Sequence, residues 1–212
     1  MVCKSGANIL KNCMNFLAHF FLSCEKEPWV VGNFLADYLR PAETRLLPED
    51  VREGIALHLE IDRITDAHPR VREAARRLMP RHGKYAPVVL DVFYDYFLIK
   101  NWEKYAAHPL PFFSREIYDI LLRNSQLMPA YLQERLQAMV QADWLQSYGR
   151  PEGLDYAFQR MARRMSKPEL IADIMGSHRL FYQEMDDDFN AFFPDLAEGL
   201  QPWKQSAPYP SK

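Results

Sequence analysis

The segment from Pro87 to Ile99 constrains the fold more than any other part of this sequence. Drawn as a helix at 100° per residue, it presents apolar side chains in every direction, a pattern typical of a helix buried on all sides. It nevertheless carries Asp91 and Asp95, one turn apart. Two ionised carboxylates in such a place are costly unless a cation or hydrogen-bond donors compensate them. We therefore expect a divalent cation beside them, with a structural hydrogen-bond network as the alternative.

Helical periodicity recurs along the rest of the chain, and no strand-like alternation bounded by tight turns stands out. Prolines supply the breaks, and several suit a first helical turn, where a missing N–H costs little. The predicted helices span 14–23, 28–39, 49–66, 69–80, 86–105, 111–126, 129–146, 151–165 and 168–192. A length of 212 residues would crowd two typical domains. The sequence predicts one all-α domain over residues 14–203, after an N-terminal extension (1–13) and before a flexible tail (204–212).

Composition excludes several classes of protein. The formal net charge is −2 and no nucleic-acid-binding motif occurs, so we expect no nucleic acid as partner. No apolar run reaches the roughly 18–20 residues of a membrane-spanning helix, so we expect no membrane association. The three cysteines, Cys3, Cys13 and Cys24, form no C-x-x-C pair. Their odd number argues against a disulfide framework, which indicates reduced thiols and a cytoplasmic location.

Polar pairs spaced four residues apart recur on four of the predicted helices. In a helix this spacing places two side chains on one face, and metal sites in helical proteins are built from such faces. The pairs are Asn15 and His19, Asn33 and Asp37, His58 and Asp62, and Asp91 and Asp95. Asp66 continues the His58–Asp62 line by one more turn, as a ligand, as a neighbour of a ligand or as a helix-end residue. Imidazole and carboxylate together suit Mn, Fe, Zn or Mg.

Five blocks of the sequence resemble one family in its expected order. The blocks are Met14–His19, Gly32–Asp37, Gly54–Pro69, Val71–Ala74 and Leu90–Leu98. Together they cover most of residues 14–104 and are similar to the acyl carrier protein phosphodiesterases, also called acyl carrier protein hydrolases, a divergent branch of the HD-type phosphohydrolases. The chain departs from the family at Tyr96, where members often have histidine. It also lacks the adjacent His-Asp pair of the wider superfamily, since His58 and Asp62 are separated.

The resemblance implies an HD-like helical fold, a divalent metal with Mn²⁺ favoured and Mg²⁺ possible, and hydrolysis of a phosphodiester. The implied reaction converts holo-acyl carrier protein into the apo-protein and 4′-phosphopantetheine. The metal would make a bound water more acidic near neutral pH. The site hypothesis assigns these residues: Asp37, His58, Asp62 and Asp95 hold the metal; His19 or Asp66 positions or deprotonates the water or protonates the departing serine oxygen; Asp91 is a further ligand or orients one; Asn15 and Asn33 anchor the phosphate or satisfy backbone groups.

A basic stretch follows the predicted metal helix. Between Arg63 and Lys84 seven basic residues face only Asp66 and Glu73. A solvated basic helix is the plain interpretation. Because acyl carrier proteins are acidic helical bundles, docking of such a partner through Arg63, Arg72 and Arg76 is the functional one. A second cluster, containing Arg160, Arg163, Arg164 and Lys167, either extends this patch or binds nothing.

Three other interpretations remain open. The first is an HD-type hydrolase acting on a nucleotide or another small phosphoester. The second is a ferritin-like di-iron protein, but such proteins use Glu-x-x-His pairs and no glutamate here has a histidine three residues later. The third is a helical interaction module whose buried polar pairs only specify packing, and it predicts no metal.

Overall fold

The computed structural model describes residues 16–163 and 165–206, and the secondary-structure elements in these ranges are helices. No strand occurs in these two ranges, so the prediction of an all-α chain is confirmed. The α-helices are α1 (Phe16–Ser23), α2 (Glu27–Ala36), α3 (Pro41–Thr44), α4 (Glu49–Ala67), α5 (Pro69–His82), α6 (Ala86–Lys100), α7 (Trp102–Tyr105), α8 (Leu110–Arg123), α9 (Ala130–Gln141), α10 (Trp144–Ser147), α11 (Pro151–Ala162), α12 (Ile174–Leu180), α13 (Tyr182–Gly199) and α14 (Gln201–Ser206). Short 3₁₀ turns cover Gly83–Tyr85, Ser125–Leu127 and Pro168–Ile171.

Two glycines let helices α2 and α4 cross in backbone contact. A Cβ atom added at Gly32 would lie 2.0 Å from the carbonyl oxygen of Val51, and one added at Gly54 would lie 2.5 Å from that of Trp29. Only residues without a Cβ allow so close an approach. The crossing places Asn33, next to Gly32, against His58, one turn after Gly54.

Helix α6 lies in the middle of the core, as the Pro87–Ile99 pattern predicts. It packs against α1, α5 and α13, and its residues from Val92 to Leu98 are all buried. Aromatic rings fill the space between α6 and α13, with Tyr94 stacking on Phe192 and Phe97 on Phe189. Burial of this many large apolar side chains is the main stabilisation of the domain.

Two predicted helices are broken by residues whose side chains or torsions end a helix. The predicted helix 86–105 ends at Lys100, because the Asn101 amide nitrogen donates to the carbonyl of Phe97 (3.0 Å) and to Asp186 Oδ1 (2.9 Å). The predicted helix 129–146 breaks at Asp143, which is left-handed with φ 43°. Its carboxylate accepts hydrogen bonds from Tyr118 and Gln146 there.

The predicted helix 168–192 is wrong at both ends. It consists of a 3₁₀ turn, α12 and the first part of α13, and α13 then continues through Pro194 to Gly199. A proline inside a helix costs about 3 kcal/mol. Phe192, Phe193 and Leu196 are buried on either side of it, which offsets that cost.

The ends of the chain are described only in part. The predicted extension 1–13 lies outside the described residues, as does Asn15. Helix α14 covers the start of the predicted tail, with the Trp203 ring edge-on to Trp29 at 5.4 Å between centroids, and residues 207–212 lie outside. Among the helices described, none is both long enough and apolar enough to cross a membrane.

Candidate functional site

Two buried histidines share one hydrogen-bond acceptor at the crossing of α1, α2 and α4. The Asn33 Oδ1 atom lies 3.0 Å from His19 Nδ1 and 2.8 Å from His58 Nδ1. The amide nitrogen of Asn33 faces the other way, 3.4 Å from the carbonyl oxygen of His19. A carbonyl oxygen only accepts, so both imidazoles donate from Nδ1. In the neutral rings the lone pairs are therefore on Nε2.

Both Nε2 atoms point at carboxylate oxygens. His19 Nε2 lies 3.4 Å from Asp62 Oδ1, and His58 Nε2 lies 3.5 Å from both Asp62 Oδ2 and Asp37 Oδ1. The two rings are stacked with their centroids 4.3 Å apart, so the nitrogens lie side by side. Asp37 follows the last residue of α2 rather than lying within it, yet its carboxylate still reaches His58. We call these four side chains the histidine–aspartate cluster.

The cluster is deep on one side and open on the other. The side chains of His19, His58 and Asp37 are 8 % exposed or less, whereas that of Asp62 is 38 % exposed. Asp66 is exposed and Asp91 is partly buried beside Asp62. Asp62, Asp66 and Asp91 are the carboxylates on the more exposed side of the cluster, and we call them its carboxylate-lined mouth.

The carboxylates around the cluster favour the binding of a positive charge. Burial lowers the pKa of His19, but Asp62, Asp37 and Asp95 outweigh burial and the net pKa is raised. Burial, reinforced by the Asp62 and Asp66 carboxylates, raises the pKa of Asp91 to about 8. The neighbouring carboxylates contribute to both shifts, and the negative charge that they place here is relieved either by protons or by a cation.

The donor set fits a divalent cation. Ligand bonds of about 2.0–2.2 Å around one ion place neighbouring donor atoms roughly 3–3.5 Å apart. The Nε2 and carboxylate oxygens are separated by 3.4 and 3.5 Å, and one donor atom each from His19, His58 and Asp62 falls within 4.8 Å of the others. The Nδ1–H bonds to Asn33 are the outer contacts that ligating imidazoles usually make. Among the described residues, His19, His58 and Asp62 are thus placed to hold a metal together, and Asp37 lies beside them with one oxygen 3.5 Å from His58 Nε2.

Asp95 makes a different contact from the metal bond expected of it. Its two carboxylate oxygens accept hydrogen bonds from the backbone N–H groups of Leu17 (3.1 Å) and Ala18 (3.0 Å), at the start of α1. These bonds satisfy helix donors that otherwise have no partner, and they favour negative charge at the positive end of α1. Burial still raises the Asp95 pKa to about 7, although the two bonds lower it. Asp95 thereby fixes α1, which carries His19.

The predicted substrate-binding residues are dispersed. Asn33 is 1 % exposed and faces the histidines, so its amide is not available to a phosphate. Arg63 pairs with Glu60 through two bonds of 2.7 Å, and Arg76 pairs with Glu73 at 2.9 Å. Only Arg72 is held near the mouth, with its Nε donating to the carbonyl oxygen of Asp66 at 2.9 Å.

Sequence reasoning missed two features that assemble the site. One is that Asn33 accepts a hydrogen bond from both His19 and His58. The sequence contains the three residues but does not show that their helices meet. The other is the pair Gly32 and Gly54, each of which begins a family block and lies one or four residues before a site residue. The convergence of three helices on Asn33 requires their backbones to approach as closely as these glycines allow.

The chain is similar to one family of known proteins over most of its length. The family model described as acyl carrier protein phosphodiesterase matches residues 14–196. Relatives named acyl carrier protein phosphodiesterase include one from Yersinia pestis, 29% identical over 89% of this chain and 98% of its own length. One from Enterobacter sp. (strain 638) is 32% identical over 86% and 95%, and one from Escherichia coli O6:H1 is 31% identical over 87% and 96%. No solved structure matches significantly. The chain belongs to the acyl carrier protein phosphodiesterase family.

Proposed function

We propose that this chain is a divalent-metal-dependent phosphodiesterase that releases 4′-phosphopantetheine from holo-acyl carrier protein and leaves the apo-protein. The names of the family and of the relatives supply the substrate. The observation that carries the metal requirement is the direction of the two Nε2 lone pairs toward Asp37 and Asp62, with both Nδ1 atoms already occupied by Asn33. Two imidazoles with two carboxylates favour Mn²⁺ over Mg²⁺, which prefers oxygen ligands and bound waters.

The residues of the cluster divide into those that hold the ion and those that handle protons. When bound, the ion supplies Lewis acidity toward a phosphoryl oxygen and makes water more acidic. His19, His58, Asp37 and Asp62 would hold it. This role for His19 replaces the proton-transfer role expected from the sequence, because its Nε2 points into the cluster.

Proton handling is then left to the carboxylates of the mouth. In the reaction a water oxygen bonds to phosphorus, and the bond between phosphorus and the serine oxygen breaks. A base takes up a proton from the water, and an acid gives a proton to the serine oxygen. Asp66, which is exposed at the mouth, would accept the water proton. Asp91 lies beside Asp62 and Asp66 on the α6 side, where it would orient the water or return the proton to serine.

The test is direct. The purified protein is incubated with holo-acyl carrier protein and Mn²⁺, and the intact mass of the carrier is followed. We expect the mass of the phosphopantetheine arm to be lost, and chelator to prevent the loss. A protein shown to contain metal that leaves the carrier mass unchanged would refute the substrate assignment, and nucleotides and small phosphodiesters would be assayed next.

Asn33 gives a second prediction. We expect Asn33→Leu to weaken Mn²⁺ binding and reduce turnover by about 10–100-fold, the usual effect of removing a group that orients metal-bound histidines. Leucine has a similar size but no acceptor, so both imidazoles become free to rotate and to change tautomer. Isothermal titration with Mn²⁺ measures the affinity, and circular dichroism checks the fold.

Asn33→Asp is the matched variant. It keeps an oxygen acceptor for both Nδ1–H groups, so metal affinity should be retained better than in Asn33→Leu. Equal loss in the two variants would mean that Asn33 contributes packing rather than hydrogen bonding.

A further inference from the structure

A surface of arginine and aromatic side chains borders the cluster on the Asp37 side. We call it the Arg160 surface, and it is formed from α9, α10 and α11 by Tyr131, Arg135, Trp144, Tyr156 and Arg160. The Arg160 guanidinium lies over the Trp144 ring at 4.1 Å from its centroid and 5.8 Å from that of Tyr156. The Arg135 guanidinium lies 5.7 Å from the same Trp144 ring. Tyr131 and Tyr156 are more than half exposed.

Tyr38 connects this surface to the site. The Tyr131 hydroxyl donates to the carbonyl oxygen of Tyr38 at 3.4 Å, and the Arg135 guanidinium lies 5.3 Å from the centroid of the Tyr38 ring. Tyr38 follows Asp37, whose carboxylate is 3.5 Å from His58. A partner bound on the Arg160 surface is therefore next to the histidine–aspartate cluster.

The charge of the Arg160 surface is more available than that of α5. On α5, Arg76 pairs with Glu73, Arg81 with Asp173, and Arg77 with the buried Asp188. Those carboxylates neutralise three arginines of the basic stretch in which the sequence predicts docking, whereas Arg72 donates to the backbone carbonyl of Asp66. Within the described ranges, no carboxylate forms a salt bridge with Arg160, whose charge faces aromatic rings instead. Tryptophan, tyrosine and arginine are also the residues enriched at the energetic centres of protein interfaces.

We infer that the Arg160 surface is the docking site for an acidic protein partner, and this rests on the proposed function, in which that partner is the acyl carrier protein. Acidic side chains of the carrier would pair with Arg160 while its apolar side chains cover Tyr131 and Tyr156. Binding there would hold the carrier on the Asp37 side of the histidine–aspartate cluster. The complementarity of charge speeds association and fixes the orientation of the carrier.

The experiment compares charge reversals on the two basic surfaces. Fluorescence anisotropy measures binding of labelled holo-acyl carrier protein to chelator-treated protein, and KM and kcat are measured with Mn²⁺. We expect Arg160→Glu to weaken binding and raise KM by about tenfold or more, with kcat little changed. Arg76→Glu on α5 is the matched control, expected to change both by less than about twofold because an exposed ion pair contributes little.

Two further measurements separate docking from folding and from catalysis. Tyr156→Ala, a truncation at a side chain that is 58 % exposed, should raise KM without affecting stability if Arg160→Glu proves unstable. Hydrolysis of bis(p-nitrophenyl) phosphate should be the same in wild type and Arg160→Glu, since this small diester needs no docking.

The outcomes are distinct. A higher KM for Arg76→Glu with an unchanged one for Arg160→Glu would overturn the inference and place docking on α5. Equally tight binding of a single-stranded oligonucleotide to the wild type, weakened in the same way by Arg160→Glu, would also overturn it, since stacked aromatic and basic side chains bind nucleic acid too. Wild type that cleaves the small diester but neither binds nor cleaves the carrier would refute the proposed function itself.

Discussion

Asp62→Asn should abolish measurable hydrolysis and weaken Mn²⁺ binding by more than 100-fold. Asp62 is the only side chain of the cluster whose two oxygens face both histidines, with Oδ1 3.4 Å from His19 Nε2 and Oδ2 3.5 Å from His58 Nε2. Asparagine keeps the shape but replaces one oxygen by an NH₂ group, which cannot act as a ligand, and removes the negative charge. Groups that only orient ligands change affinity by about 10–100-fold, so loss of a side chain that would itself hold the ion should exceed that range.

The control is Asp50→Asn, the same change in the first turn of the same helix. The Asp50 side chain is exposed and, among the residues that the structure describes, accepts one hydrogen bond, from the neighbouring Val51 N–H, so this variant should retain wild-type affinity and turnover. Isothermal titration and the carrier mass assay are carried out on both. Asp62→Asn with normal metal binding but no activity would move Asp62 from the ligand set to proton transfer. Normal values for both would remove the cluster from the mechanism.

Periodicity was sufficient to predict where the site residues lie, because burial and helix faces depend on local spacing. The apolar pattern of Pro87–Ile99 predicts a buried α6, and α6 is buried. The spacing of His58 and Asp62 predicts a shared face, and both side chains face the cluster. His19 and Asp37 also converge on this point, although they come from different helices.

The contacts between helices could not be predicted in the same way, because they depend on how the helices cross. Asp95 and Asp91 are equivalent in the sequence pattern. The two differ only because α1 packs against α6 so that Asp95 receives two backbone N–H donors, whereas Asp91 lies near Asp62. The arginines of α5 likewise form a basic stretch that only Glu73 interrupts in the sequence of the helix. The acids that neutralise Arg77 and Arg81 come from residues some 90 to 110 positions later in the chain.

Two histidines illustrate the same limit. Nothing in the local sequence around His82 and His178 predicts more than a surface or helix-capping role, but both side chains are buried. His82 is 1 % exposed and joins the Leu170 carbonyl (2.7 Å) to the Ser177 hydroxyl (2.8 Å). His178 is buried among aromatic rings, and burial lowers its pKa to about 4, so it is neutral. Their partners lie on elements distant in sequence, which local spacing does not reveal.

Gly32→Ala should destabilise the protein by about 3 kcal/mol or more, a large fraction of the stability of a typical domain. The added methyl group would lie 2.0 Å from the Val51 carbonyl oxygen and 2.8 Å from Gly54 Cα, both of them backbone atoms that cannot rotate away. Overpacking usually costs about 1–3 kcal/mol, and a clash between two backbones belongs at or above the upper end. Helices α2 and α4 must separate to relieve it, and urea denaturation measures the loss.

The same separation should be felt at the metal site, since the crossing of α2 and α4 is what brings Asn33 Oδ1 within 2.8 Å of His58 Nδ1. We therefore expect the folded fraction of Gly32→Ala to bind Mn²⁺ more weakly than wild type. Gly199→Ala is the control, because a Cβ atom there meets only Ile64 at an ordinary 3.5 Å. It should leave metal affinity unchanged and alter stability by no more than about 1 kcal/mol, in the stabilising direction, since alanine favours helix over glycine. If Gly32→Ala unfolds at the same urea concentration as wild type, helices α2 and α4 do not cross in backbone contact. A close crossing would then not explain how Asn33 aligns the two histidines.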